Sequence, residues 1–173
     1  MQLLSKTIKL RLVEEVDAEF IISLRTNVAY NTHLSGVSDD INAQIQWIKD
    51  YKKDELSRTQ FYFIIERNDG VRCGTVRIYD IKADSFSWGS WILNEEKTRY
   101  SAIESAFLVY SFGFDNLGFK KSHFEVRKGN EKVISFHKKM GAQYVGETEH
   151  EYLYEITKQA IEASRQKLAR MIQ

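Results

Sequence analysis

The sequence contains no proline, a single cysteine and no surplus of either charge. Without proline, no helix is broken by a ring that clashes with the preceding turn, and prolyl isomerisation drops out of the slow folding steps. Cys73 has no partner for an intrachain disulfide, which fits a reducing compartment and points to a cytoplasmic protein. Lysine plus arginine number 25 against 24 acidic residues, so nothing in the balance suggests nucleic acid or a membrane surface as partner. No apolar run approaches the roughly 18 residues of a membrane span, and no signal peptide is read ahead of the first strand. His33, His123 and His150 have no ligand spacing, so no metal site is expected.

What is present is a chain of 173 residues without repeats, low-complexity tracts or a linker. A chain of this size buries about 70% of its unfolded surface, so residues 1–173 are expected to form one domain. Its organising stretch is 85–119, SFSWGSWILNEEKTRYSAIESAFLVYSFGFDNLGF. Residues 85–93 read as a strand, with Phe86, Trp88 and Ile92 on one side and Gly89 marking a bulge or a close backbone approach. A polar connection, 94–99, leads into a helix with a broad apolar face from Ala102 to Phe114 and Gly118 at its C′ position. Ser101 and Glu104 have capping-box spacing, which puts the helix start near Tyr100. A strand entering a helix N-terminus at a polar turn suits phosphate.

The flanking segments follow in order. Residues 7–13 alternate Ile8, Leu10 and Leu12 as a first strand. Asp17 is placed to cap a helix carrying Phe20, Ile21, Ile22 and Leu24, and Asp39 or Asp40 a second with Ile41, Ile45, Trp47 and Ile48 inward. The charged tail 49–58 reads as a solvated face. Strands at 60–66 and 71–79 flank the hairpin signal Asn68-Asp69-Gly70. A strand at 121–127 precedes a helix opened by Asn130 and closed by Gly141, then strands at 142–145 and 151–156. Thr157 opens a C-terminal helical extension, 157–173, with Ala160, Ile161, Ser164, Leu168 and Met171 on one side. That stripe must be buried on its own domain or on a second chain, and a homodimer contact is the expectation.

This order, together with the segments WGSWIL…YSAIESAFLVYSFGF and NEKVISFHKKMGA, resembles the GNAT superfamily of acyl-CoA-dependent N-acetyltransferases over roughly residues 7–156. Within it, the chain looks most like the branch of ribosomal-protein N-terminal and amino-sugar acetyltransferases. The resemblance implies an α/β (α+β) fold whose central mixed, mostly antiparallel sheet splays in the middle, with helices on its flanks. It implies acetyl-CoA as co-substrate, without metal, lying between strand 88–93 and strand 121–127. Backbone groups of Trp91, Ile92 and Leu93 would pair with the pantetheine arm. Thr98, Arg99, Tyr100, Ser101 and Ala102 would hold the pyrophosphate, with Asn130 and Phe136 also on the cofactor side. An acceptor amine would attack the thioester, a backbone N–H of the central strand would stabilise the oxyanion, and an acid would protonate the thiolate.

Two departures from the family pattern stand out. The family's phosphate turn places Gly and then Gly or Ala where this chain has Thr98 and Tyr100; Arg99 could offset the loss by touching phosphate directly. His137, seven residues after Asn130, stands where many members carry a tyrosine assigned as general acid. Bland readings sit beside these: His137 as a packing residue, Glu104 as a cap and not a base, Asn130 as a structural cap, Ser90 as a strand serine and not an acceptor contact. Three functions stay open: acetylation of a small primary amine such as a nucleotide-linked amino sugar, acetylation of protein N-termini, and acyl-CoA binding without turnover. An acidic groove would favour the second; missing turn glycines would favour the third. No Ser–His–Asp arrangement is read from the sequence.

Overall fold

The computed structural model describes residues 1–30 and 39–169. An eight-stranded sheet runs in the order β1-β2-β3-β4-β5-β6-β8-β7. Its strands are β1 Gln2–Leu4, β2 Ile8–Leu12, β3 Phe61–Arg67, β4 Arg72–Tyr79, β5 Ser85–Leu93, β6 Lys121–Arg127, β7 Gln143–Glu147 and β8 Glu151–Thr157. Only β5 and β6 pair in parallel; every other neighbour is antiparallel. The helices are α1 Ala18–Arg25, α2 Ile41–Leu56, α3 Ser101–Ser111, α4 Glu131–Met140 and α5 Lys158–Lys167. This is the mixed, mostly antiparallel sheet with flanking helices that the resemblance implied. β1 was not expected, since three residues are too few to show alternation.

The strands sort their side chains by parity, so each face of the sheet receives its own helices. Ile8, Leu10, Phe63, Val76, Phe86 and Phe124 point to the core shared with α3, α4 and α5. Tyr62 and Ile64, one register step away, meet Ile21, Ile48 and Tyr51 of α1 and α2. Gly70, at φ +92°, closes the β3–β4 hairpin as its sequence required. α3 does not end in a simple glycine cap: it loosens into a π-turn, Phe112–Asn116, before Gly118 at φ +83°. Gly113 lies in that turn because a Cβ there would sit 2.1 Å from the Phe86 ring.

Several local expectations are corrected. Ile41 and Trp47 do not point inward; they are 45% and 38% exposed, with Trp47 stacked on Tyr51. Asp40 and Thr157 cap their helices through the side chain, but Asp17 does not. Its carboxylate instead accepts from Arg11 at 2.9 Å and Arg72 at 3.1 Å, and from the Glu14 N–H. α5 packs on its own chain: Ile161 enters the core, Ser164 donates to the Met140 carbonyl, and Arg165 lies over the Phe107 ring. The described part of its stripe therefore lies largely against its own domain, with Ala160 and Leu168 half-buried. Met171 and His33 lie outside the described residues. No described helix is long and apolar enough to cross a membrane.

Candidate active site

β5 and β6 pair only at Ser85↔Lys121 and Phe86↔Ser122, and beyond these two positions the sheet splits. The closed end is held by side chains. Ser122 Oγ donates to the Phe86 carbonyl at 2.7 Å, and His123 bridges Ser85 Oγ at 2.7 Å and Asp80 at 2.9 Å. Serine, histidine and aspartate do meet here, contrary to the sequence reading. Ser85 is only 3% exposed, so the trio ties the β4–β5 turn to β6 and presents no nucleophile. Past the fork, β5 leaves its backbone edge facing a gap from Trp88 to Leu93, as one added strand would need.

The bulge in β5 falls at Ser90 rather than Gly89. Register shifts between Thr75 and Arg77 of β4, Ser90 adopts φ +47°, and Thr75 Oγ1 donates to the Ser90 carbonyl at 3.1 Å. A non-glycine residue held in this region costs on the order of 1–3 kcal/mol and marks sites where backbone groups are re-aimed. Gly89 is a close approach: a Cβ would lie 3.1 Å from the Tyr79 hydroxyl, whose ring rests over the strand.

The turn 94–100 has its own fastening. Thr98 Oγ1 bonds Thr7 Oγ1 and Ser101 Oγ, each at 2.7 Å, and the Thr98 N–H donates to Ser101 Oγ at 2.8 Å. Glu104, 1% exposed, does not form the expected capping box. Its carboxylate accepts from Ser5 Oγ at 2.8 Å, from the Thr7 N–H at 2.7 Å and from Thr7 Oγ1. The Ser101 N–H is also engaged, with the Thr98 carbonyl at 3.3 Å. Of the backbone donors expected for pyrophosphate, Thr98 and Ser101 are thus already in use, which leaves Arg99, Tyr100 and Ala102. Arg99 is exposed and lies 5.2 Å over the Tyr100 ring.

α4 closes the far wall. Asn130 makes no side-chain cap, so its amide is not committed to the helix; only its carbonyl accepts, from Ile134 N–H. Trp91 donates Nε1 to Ser105 at 3.1 Å and meets the Phe136 ring at 5.0 Å, which fixes the indole between α3 and α4. His137 is 5% exposed, its ring 4.3 Å from Phe124 and edge-on to Trp88, and its Nδ1 has no partner. Burial alone pushes this imidazole down to about 3. At neutral pH only about one ring in ten thousand would be charged, so a switch of charge near pH 7 is not what this environment supports.

Between these walls opens a cleft of about 320 Å³ that includes Ser90, Trp91, Asn130 and His137. Its polar floor comes from residues with no sequence motif: Arg25, Arg77, Arg127, Glu125 and Glu151. Arg77 donates to Gln60 at 3.0 Å and lies over the Tyr79 ring at 4.6 Å, while its buried Nε has no partner; burial holds its pKa below the ordinary value. Glu125 is shifted up, first by burial and then by Glu151 and Asp80.

Residues 7–143 match the profile of the acetyltransferase (GNAT) domain. The chain belongs to the GNAT acetyltransferases. A solved structure described as apo FdhC, a nucleotide-linked sugar GNAT, shares 49% identity, covers 100% of this chain and 99% of its own, and superposes with a TM-score of 0.92. The spermidine N(1)-acetyltransferase of Escherichia coli K12 is 26% identical over 84% of this chain and 78% of its own length. The Vibrio cholerae spermidine N-acetyltransferase, solved with CoA and spermine, is 17% identical, covers 89% and 97%, and has a TM-score of 0.75; it shares the fold.

Proposed function

We propose that this GNAT enzyme transfers an acetyl group from acetyl-CoA to the primary amine of a nucleotide-linked amino sugar. The observation that carries the reading is the charge of the cleft: Arg25, Arg77 and Arg127 outnumber Glu125 and Glu151. A diphosphate calls for arginine forks, whereas a polyamine or a basic peptide N-terminus calls for several carboxylates. Arg77 is suited to the first, since its Nε is desolvated and unpaired in a site whose floor at Gly89 has no side chain. The 49% identity to a nucleotide-linked sugar GNAT supports the same acceptor.

The thioester of acetyl-CoA supplies an activated acyl carbon. The chain's part is to align the arm along β5, with Trp91, Ile92 and Leu93 at the edge and Arg99, Tyr100, Ala102, Asn130 and Phe136 along its length. In this reading, backbone N–H groups at the Ser90 bulge receive the carbonyl oxygen. His137, neutral in its pocket, can donate a hydrogen bond from a ring nitrogen but does not deliver a full proton. Most of the acceleration then comes from holding two substrates together.

Thiol release with acetyl-CoA should therefore be seen with uridine- or thymidine-diphosphate amino sugars in preference to spermidine or a basic peptide. Arg77→Ala should raise KM for the nucleotide sugar by about 10- to 100-fold, the worth of one charge-assisted hydrogen bond, with acetyl-CoA affinity held. Higher kcat/KM on spermidine or on the peptide would overturn the reading.

A further inference from the structure

The cleft carries two carboxylates that a diphosphate cannot use. Glu125 stands on β6 on the side of the split opposite Gly89 and Ser90, and it projects to the same face as His123 and Arg127 by the alternation of the strand. Glu151 reaches the cleft from β8, where it is the register partner of Arg127. The same cleft is bordered by two buried nitrogens without partners, Nδ1 of His137 and Nε of Arg77, so the carboxylates share their space with groups that await a ligand. Neither glutamate has a cation bound to it among the described residues: the salt bridges of the neighbourhood go elsewhere, from His123 and Lys82 to Asp80 and from Lys121 to Asp84 and Glu155.

We propose that Glu125 is the base that accepts the proton of the acceptor ammonium, with Glu151 as the positioning residue that keeps it available. The inference rests on the reading of the acceptor as an amine, charged when it arrives. One N–H bond of the ammonium breaks as a carboxylic O–H forms on Glu125, which leaves the nitrogen's electron pair for the thioester carbon. As the C–S bond breaks, the thiolate takes the second N–H proton, and Glu125 returns its own proton to water once the amide has left.

The charged groups around Glu125 fit this task. From β8, Glu151 opposes its ionisation; so does Asp80, the first residue after β4. His123 on its own strand and Lys82 in the turn act the other way, weakly. Arg77 from β4, Arg25 from α1 and Arg127 from β6 line the cleft with it. Partial burial adds to the two carboxylates, so Glu125 holds a proton more readily than an ordinary glutamate.

The test is a pH–rate profile of the wild type, Glu125→Gln and Glu151→Gln on the best amine from a panel of uridine- and thymidine-diphosphate amino sugars, spermidine and a basic peptide. Glu125→Gln should lower kcat by about 10²-fold at pH 7 with little change in KM, and the loss should shrink as pH rises through the amine's own pKa. Glu151→Gln should keep most of kcat but move the acidic limb of the profile downward. Turnover of spermidine or the peptide alone would overturn the nucleotide-sugar reading yet leave the base open to the same measurement. A kcat for Glu125→Gln within threefold of wild type, or a loss that is flat from pH 6 to 9, would overturn the base. If the wild type acetylates no amine in the panel, both fall together.

Discussion

His137 offers the sharpest check on the site, because its burial turns into a pH dependence of stability. The ordinary imidazole titrates at 6.5; desolvation among the aromatic rings moves it to about 3 in the folded chain. The unfolded chain therefore binds a proton between those values that the folded chain refuses. Stability is fully present above pH 6.5 and declines as pH falls through the window down to about 3. At 1.36 kcal/mol per unit, the ring by itself removes about 2.7 kcal/mol between pH 7 and pH 4.5. His137→Leu abolishes that linkage at a similar volume and also removes an unpartnered Nδ1, so its packing cost at pH 7 should be small. The measurement is urea unfolding of both proteins at both pH values, followed by tryptophan emission. With a urea slope of about 2 kcal/mol/M, the difference between the two midpoints should move by about 1.3 M in favour of the variant on going to pH 4.5. Using the change in the difference cancels whatever the leucine costs in packing. A difference that stays constant would show the ring to be solvated and titrating near neutrality, and the role of proton donor to the thiolate would return.

Two further outcomes follow from the turn. Glu104→Ala should destabilise by about 3 kcal/mol, since it strands the Thr7 N–H and leaves a cavity, and Tm should drop by about 6–12 °C, while Glu104→Gln recovers most of this in a thermal melt. Arg99→Ala should weaken CoA by about tenfold in calorimetry and leave a dephosphorylated pantetheine unaffected; an equal loss for both would remove the arginine from the phosphates.

Most of the fold was legible because its signals are local. The hairpin at Asn68–Gly70, the caps at Asp40 and Thr157 and the alternation in β2 each depend on a few adjacent residues, and each reappears in the structure. The failures share a different cause. Asp17 and Glu104 have the residue types of caps, but partners outside their helices took their carboxylates: Arg11 on β2 and the distant Arg72 for the first, the distant Ser5 and Thr7 for the second. Spacing along the chain carries no information about a partner about 97 residues away. The acceptor side was unreadable for the same reason. Arg25, Arg77, Glu125 and Glu151 come from α1, β4, β6 and β8, and only the folding of the sheet with α1 brings them to one cleft. An inspection of strand parity would have found part of this. Arg77 interrupts a mainly apolar strand interior, and Glu125 alternates with the buried Phe124 and Val126, so both point to a face that is not core.

The missing turn glycines find their explanation in that long-range network. A glycine in a phosphate turn lets backbone approach the ligand closely and adopts its conformation without steric cost. Thr98 and Tyr100 give up that freedom, and the turn is instead fixed from outside by Thr7, through Thr98, Ser101 and Glu104. Preorganisation of this kind trades conformational choice for hydroxyl and carboxylate bonds, and it uses two of the N–H donors in doing so. In the proposed function, pyrophosphate leans on the remaining donors, the α3 N-terminus and the side chain of Arg99. It follows that β2 and the start of α3 act as one unit: loosening Thr7 should relax the turn without touching any residue that faces the ligand. The departure from the family's pattern is thus a change in how the phosphate end is held rigid, and the split sheet beside it is left as the fold requires.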